Sequence, residues 1–322
     1  MTNTRTSLLE RAAEVYDFAS GLPATPANDL PPRRIRPVPP APPRAVEQPA
    51  PQLVEPPVQQ AVPQPVAQAR PAQVRPPVRH RQVDLDTNGL AASGYLVGDM
   101  PVSGLAEEMR LIKRRLLTAV DARTEAGDDR ARLVLVASGQ PGEGKTFTAL
   151  NLALSIASEP ERSVLLVDGD SAKPELMARL GVDEDHPGFL DCLADAGVDP
   201  ESLVLDTDVE RLSLLPAGSK VRNIPELLAS ARTEQVLERL RSADPRRIII
   251  LDSSPVLAAS TASVLAGHAG QTLVVVKADR TSEADLKETL DLLSVCAHLS
   301  LVLNSTAFEV GSRRFGKYEE YR

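Results

Sequence analysis

Residues 132–148 read Arg132-Leu133-Val134-Leu135-Val136-Ala137-Ser138-Gly139-Gln140-Pro141-Gly142-Glu143-Gly144-Lys145-Thr146-Phe147-Thr148. An apolar run breaks into glycines, reaches Gly144-Lys145-Thr146 and continues into a helical pattern. Gly139, the stretch from Gln140 to Glu143, and then Gly144-Lys145-Thr146 complete a phosphate-binding P-loop between a strand and a helix. In such a loop successive backbone N–H groups form a nest for the β- and γ-phosphates. The helix that follows adds the positive end of its dipole. Lys145 is expected to neutralise phosphate charge, and the Thr146 hydroxyl to ligate Mg²⁺. Gly139 to Phe147 are therefore the candidate nucleotide-binding residues. A glycine turn that merely precedes a helix is the plainer alternative, and the number of matched positions argues against it. The chain is expected to bind a nucleoside triphosphate.

Around this motif the chain is unevenly built. Of the 28 prolines, 18 fall between Pro23 and Pro77, a stretch with little hydrophobic periodicity. The Pro-rich segment and its immediate continuation carry Arg33, Arg34, Arg36, Arg44, Arg70, Arg75, Arg79 and Arg81 against few acids, so the remainder is more acidic than the net charge of −8 implies. An acidic domain argues against nucleic acid as a partner. Cys192 and Cys296 stand alone without metal-ligand spacing, as core thiols in a reducing compartment would. No apolar stretch approaches the length of a membrane span, and the expected location is cytoplasmic. Aromatic residues make up 3% of the chain, so its core must rest on Leu, Val, Ile and Ala.

Four segments are expected: a short amphipathic helix within residues 1–20, a Pro-rich tether over 21–82, a catalytic domain over 83–304 and a polar tail over 305–322. Within the third, helices and strands alternate. Gly104 to Val120 reads as a helix, Leu133 to Ala137 as a strand and Lys145 to Ser158 as a helix. Strands are expected at Ser163 to Val167, Leu203 to Leu205, Leu212 to Leu215, Ile248 to Leu251, Thr272 to Val276 and Ser300 to Leu303. The longer helices between them fall at Thr233 to Arg241, Ser260 to Gly267 and Glu283 to Ala297. The strands are continuous Val/Ile/Leu runs without polar alternation, as a parallel sheet covered on both faces requires. The fold class is α/β, a doubly wound and mostly parallel sheet. Its P-loop, Asp168, Asp170, Asp252 and Asn304 all fall at strand carboxyl ends, where ligands bind in such sheets.

Asp252 closes the run Ile248-Ile249-Ile250-Leu251. A carboxylate beside a P-loop strand suits a Mg²⁺-holding acid. Asp168-Gly169-Asp170 closes the preceding Val164-Leu165-Leu166-Val167 run with two carboxylates. These can orient or deprotonate a nucleophile beyond the γ-phosphate and help hold the metal. A turn or helix-capping role competes for each of these acids. Two acids clustered at a phosphate site repel each other unless a cation resolves them.

With these residues in view, the chain resembles the bacterial tyrosine kinases that are built on a P-loop. More narrowly it resembles the exosortase-associated tyrosine autokinases linked to exopolysaccharide export. Four stretches carry the likeness: Ser138 to Thr146 with its Pro141-Gly142-Glu143, then Asp168-Gly169-Asp170-Ser171-Ala172-Lys173-Pro174. The others are Pro216-Ala217-Gly218 with Asn223-Ile224-Pro225-Glu226-Leu227-Leu228, and Glu107-Glu108-Met109-Arg110-Leu111-Ile112-Lys113-Arg114. Two positions depart from the family pattern: Ala172 stands where an arginine is usual, and so does Lys113. Related septum-positioning and partition ATPases carry a lysine where this chain has Gln140.

The resemblance implies an ATP- and Mg²⁺-dependent tyrosine autokinase. Lys145, Asp168 and Asp170 would be catalytic, with Asp168 as the base. Thr146, Asp170 and Asp252 would hold Mg²⁺, and Asn304 would contact the adenine. Glu107, Arg110 and Lys113, spaced three apart on one helix, would join copies into a homo-oligomer. Tyr318 and Tyr321 in the tail would be phosphorylated between subunits. The implied partner is a membrane chain-length-determinant protein whose cytoplasmic segment activates the kinase and holds it at the inner face of the membrane. The rival reading is an assembly-switch ATPase of the same fold without significant tyrosine transfer.

Overall fold

The apolar runs at 133–138, 163–169, 247–253 and 271–277 lie side by side in the computed structural model, which describes residues 80–98, 103–219 and 221–306. The expected N-terminal helix, the segment up to Arg79, and the tail with Tyr318 and Tyr321 lie outside the described residues.

In chain order the described elements begin with β1 (Arg81–Val83), α1 (Thr87–Ala92), α2 (Gly104–Glu125), β2 (Leu133–Ser138) and α3 (Lys145–Ala157). There follow β3 (Ser163–Gly169), α4 (Leu176–Leu180), α5 (Phe189–Ala194), β4 (Leu205–Thr207), β5 (Leu212–Leu215) and α6 (Ile224–Leu228). The remaining elements are α7 (Ala231–Ala243), β6 (Arg247–Ser253), α8 (Thr261–His268), β7 (Gln271–Lys277), α9 (Glu283–Leu293) and β8 (Leu299–Asn304).

The strands form one sheet in the order β1-β4-β5-β3-β6-β2-β7-β8. Every pairing is parallel except β4 with β5. Alternate residues of each central strand enter two different cores. Val134, Val136, Val164, Leu166, Ile248 and Ile250 pack with α2, α3 and α4 on one face. Leu133, Leu135, Leu165, Val167, Ile249 and Leu251 pack with α5, α7 and α8 on the other. Coverage on both sides is why these strands carry no polar alternation. The doubly wound α/β reading therefore holds.

Local signals account for the ends of the elements. The Ser103 hydroxyl accepts from Ala106 N at 3.2 Å and starts α2, and Ser282 does the same for α9 from Asp285 N at 3.0 Å. Helix α9 stops at Leu293, short of the expected Ala297, where Ser294 caps it. The strand expected at Leu203–Leu205 begins at Leu205, because Pro200 opens a 3₁₀ turn over Pro200–Leu203. The sheet also starts earlier than expected: Arg81 and Gln82, read as tether, pair with Leu205 and Asp206. Among the described residues no helix is long and apolar enough to cross a membrane. Cys192 and Cys296 are free and buried, and burial pushes the Cys192 thiol up to about 12.

Candidate active site

Between β2 and α3 the chain turns through Gly142 and Gly144, at φ of +79° and +104°. Gly144 admits no side chain for a second reason: an added Cβ would lie 2.1 Å from the Asn304 amide nitrogen. Glu143, 1% exposed, turns its carboxylate back into the loop. It accepts from Gln140 N at 2.9 Å and from the Thr281 hydroxyl. Glu143 thus shapes the loop from beneath. Pro141, Gly142, Gly144, Lys145, Thr146 and Phe147 line a cleft of about 430 Å³ that also takes in Asp170 and Asp252.

Strands β3 and β6 bring the acids together, since Asp168 and Asp252 are paired in register. Lys145 Nζ lies 2.8 Å from Asp170 Oδ2, 3.3 Å from Thr146 Oγ1 and 3.9 Å from Asp252 Oδ1. The Ser254 hydroxyl donates to Asp170 Oδ1 at 2.7 Å. Asp252 Oδ1 is buried and accepts no hydrogen bond, while Thr146 hydrogen-bonds the same carboxylate. An orphaned carboxylate oxygen beside a P-loop threonine fits a hard divalent cation, which takes oxygen ligands. Thr146 and Asp252 are the residues that would hold it, and Asp170, whose two oxygens are engaged by Lys145 and Ser254 rather than left open as expected of a metal ligand, lies beside them.

Asp168 occupies a different position from the one expected of a base. It is 2% exposed, and its two oxygens accept from the backbone N–H groups of Asp170 (3.1 Å) and Leu176 (3.3 Å). It does not line the cleft. Burial, with the nearby Asp252 charge adding to it, pushes its carboxyl up to about 7; burial also lifts Asp252 to about 6, against the pull of Lys145. Asp168 therefore braces the turn that presents Asp170, the carboxylate that faces the cleft.

Asn304 also has another task here. Its amide nitrogen donates to Glu143 O at 2.8 Å and its Oδ1 accepts from Ser305 N at 2.8 Å, so it buttresses the P-loop. Of the three residues expected to join copies, Lys113 turns inward. Its Nζ donates to Ser155 O at 3.0 Å and pairs with Glu159 at 2.5 Å, tying α2 to α3 in the same chain. Arg110 is exposed and pairs with Glu107 one turn away.

Sequence reasoning missed Ser254, although Ser253-Ser254-Pro255 directly follows the acid at 252. It also missed Lys173, Glu175 and Arg179, which line the same cleft. The Pro216-Ala217-Gly218 motif follows β5 at the strand end next to Asp168, since Val167 pairs with Leu215, and it stitches α5 in place: Pro216 O and Ala217 O accept from Phe189 N and Leu190 N. Gly188 passes so close that an added Cβ would meet Pro216 O at 2.0 Å.

A family model described as an AAA domain matches residues 131–300. The putative tyrosine-protein kinase EpsB of Ralstonia solanacearum is 30% identical over 255 residues, which cover 76% of this chain and 32% of that protein. Tyrosine-protein kinase CpsD of Streptococcus pneumoniae serotype 4 is 24% identical over 67% of this chain and 95% of its own length. The BceF tyrosine kinase domain superposes with a TM-score of 0.51 at 27% identity, covering 61% of this chain and 76% of that one. The kinase domain of Escherichia coli tyrosine kinase ETK shares the fold, with a TM-score of 0.54 at 21% identity over 73% of this chain and 95% of that one. The chain spans about a third, 32%, of the length of the EpsB relatives it matches. By the extent of the match the chain belongs to the AAA-domain family, and the relatives that it matches in sequence and fold are bacterial tyrosine-protein kinases.

Proposed function

We propose that this chain is a protein-tyrosine kinase that uses ATP and Mg²⁺ and phosphorylates Tyr318 and Tyr321 on neighbouring copies. Through that reaction it would regulate exopolysaccharide synthesis or export, as its likeness to the exosortase-associated kinases suggests. A membrane chain-length-determinant protein would recruit and activate it at the inner face of the cytoplasmic membrane. The observation that carries the reading is the orphaned Asp252 Oδ1 beside Thr146, in the same cleft as Lys145 and Asp170.

Phosphoryl transfer needs in-line positioning and charge neutralisation more than covalent help. Thr146 and Asp252 would hold the Mg²⁺, which would supply charge neutralisation for the triphosphate. The loop amides between Gly139 and Thr146 cradle those phosphates. Lys145 now rests on Asp170, and an incoming triphosphate offers it a more highly charged partner. That exchange frees Asp170 Oδ2 to receive the tyrosine proton, while Ser254 keeps Oδ1 in place. The phenolic oxygen bonds to the γ-phosphorus, the bond from that phosphorus to the bridging oxygen breaks, and ADP leaves. Two clustered phosphotyrosines would then push copies apart by like-charge repulsion.

Phosphopeptide mapping after incubation with Mg-ATP tests this, with Lys145→Met and Asp170→Asn alongside. Phosphate on Tyr318 or Tyr321 that disappears in both variants is the expected result. ATP hydrolysis without phosphotyrosine, even with the cytoplasmic segment of a chain-length partner present, would instead identify an assembly-switch ATPase.

A further inference from the structure

The mechanism above leaves part of the cleft unused. The cleft that holds Lys145, Asp170 and Asp252 is also lined by the small apolar residues Ala172, Pro255 and Ala258, and by Lys173, Glu175 and Arg179. Lys173 and Arg179 both pair with the single Glu175 carboxylate, Arg179 at 2.7 Å. Arg179 also donates to the Tyr95 hydroxyl oxygen, and Tyr95 is itself buried against Phe147 with ring centroids 5.1 Å apart. The guanidinium, on an exposed side chain, is thus held by the N-cap carboxylate of its own helix and lies beside Tyr95. Two cations facing one carboxylate leave a net positive charge, and the Lys173 side chain is 79% exposed.

We propose that Lys173, Glu175 and Arg179 form the acceptor-recognition site of this cleft, selecting tyrosine peptides with an adjacent carboxylate. The proposal rests on the kinase reading and names its substrate class. An acidic residue next to the acceptor tyrosine takes the place of Glu175 on the two cations. One carboxylate replaces another on the two cations, and the displaced Glu175, already partly exposed, turns to solvent, so the exchange costs little desolvation. Ala172, Pro255 and Ala258 offer small apolar surface to the tyrosine ring. An arginine at position 172 would cover that surface, and alanine leaves it open.

The chain's own tail carries such a ligand, Lys317-Tyr318-Glu319-Glu320-Tyr321-Arg322. Each tyrosine has a glutamate directly beside it. Lys317 and Arg322 bracket the motif, and a displaced Glu175 is free to meet either of them. Two exposed ion pairs exchanged in this way give modest selectivity of about 3- to 10-fold rather than tight binding.

Fluorescence anisotropy with labelled peptides separates this proposal from the kinase reading itself. The probe is residues 317–322 with both tyrosines replaced by phenylalanine, compared with the same peptide carrying glutamine at both glutamates. Both are titrated against the full chain with Mg-ADP present, so that binding is read whether or not transfer occurs. The glutamate peptide is expected to bind about 3- to 10-fold more tightly. Lys173→Gln or Arg179→Gln should bring that ratio to about one, and Glu175→Gln, which frees both cations, should raise it above wild type. A misfolded variant cannot produce that gain. A ratio near one in wild type, or one that none of the three substitutions moves, overturns the proposal. So does an Arg179→Gln variant that loses Mg-ADP affinity but keeps the peptide ratio, since the cations would then serve the nucleotide. Absence of phosphotyrosine alongside the expected ratios would count against the kinase reading and leave the peptide site standing.

Discussion

Asp168, Asp170 and Asp252 crowd the ends of β3 and β6, with Lys145 the cation that faces Asp170 and Asp252. The folded chain holds the Asp168 proton up to about pH 7 and the Asp252 proton up to about pH 6, both chiefly through burial. An acid whose pKa is raised on folding binds its proton more tightly in the folded state. Its contribution to stability is therefore greatest below the ordinary carboxylate range near pH 4, and fades as pH rises to about 7. Asp168→Asn removes the buried charge. Calorimetry should show a Tm raised by about 3–6 °C at pH 8, by less at pH 5, and unchanged only below about pH 4. A lower Tm at both pH values would mean that the acceptor bonds to Asp170 N and Leu176 N outweigh the repulsion. The same substitution should slow phosphate transfer by disturbing the turn that presents Asp170. Ser254→Ala acts one step further out: it loosens Asp170 and should lower kcat by about tenfold while leaving the KM for ATP within about twofold. Steady-state kinetics at saturating peptide reads both parameters.

At the scale of elements, helix α2 divides its charges between two jobs. Lys113 is 9% exposed and anchors α2 to Ser155 and Glu159 of the neighbouring helix segment, whereas Arg110 is exposed. Lys113→Ala leaves a part-buried carbonyl and an exposed carboxylate without their donor, a loss of about 1 kcal/mol that thermal unfolding should register. Arg110→Ala should leave Tm within about 1 °C and, if this helix face joins copies, shift the sedimentation profile toward monomer. Equal loss of Tm in both variants would contradict this division. The spacing of Glu107, Arg110 and Lys113 showed a shared helix face but not which charge is turned inward, because that depends on where α3 ends. The same limit explains what was legible elsewhere. Strands β2, β3, β6 and β7 announce themselves as apolar runs because both faces are covered. Strands β1 (Arg-Gln-Val) and β4 (Leu-Asp-Thr) are short and mixed, and only pairing with each other and with β5 makes them strands. The P-loop was readable because its chemistry is local. Asp168 was readable as a carboxylate at the right strand end. Its task was not, since its partners are backbone amides set by the turn toward α4.

For the molecule as a whole, one edge of the sheet is closed by its shortest elements, β1 and β4. His80, the residue before β1, sits between Glu201 at 3.4 Å and Asp206 at 3.0 Å. Glu201 is itself held by Arg247, at 2.5 and 3.3 Å, in a buried two-pronged pair. The hydrogen bond to Glu201 raises the His80 pKa, burial opposes it, and Asp206 adds to the rise. A base whose pKa is raised on folding stabilises the fold fully below its ordinary value near 6.5, and that contribution is lost as pH rises through the folded value. Strand β1 has three residues and a single neighbour in the sheet, β4, so it has little else to hold it. Amide-exchange protection factors for Arg81–Val83, corrected for the intrinsic pH dependence of exchange, should therefore fall between pH 6 and pH 9. The central strand β2 should hold its protection over the same range, because its packing does not depend on His80. In His80→Gln the pH dependence should vanish and protection at pH 6 should drop to the wild-type value at pH 9. Protection of β1 that stays level across this range in the wild type would show that backbone pairing to β4 alone secures the edge. If protection falls as expected, the hold on the edge strand β1 is set by one titrating side chain, and the first strand of the sheet loosens as the pH rises.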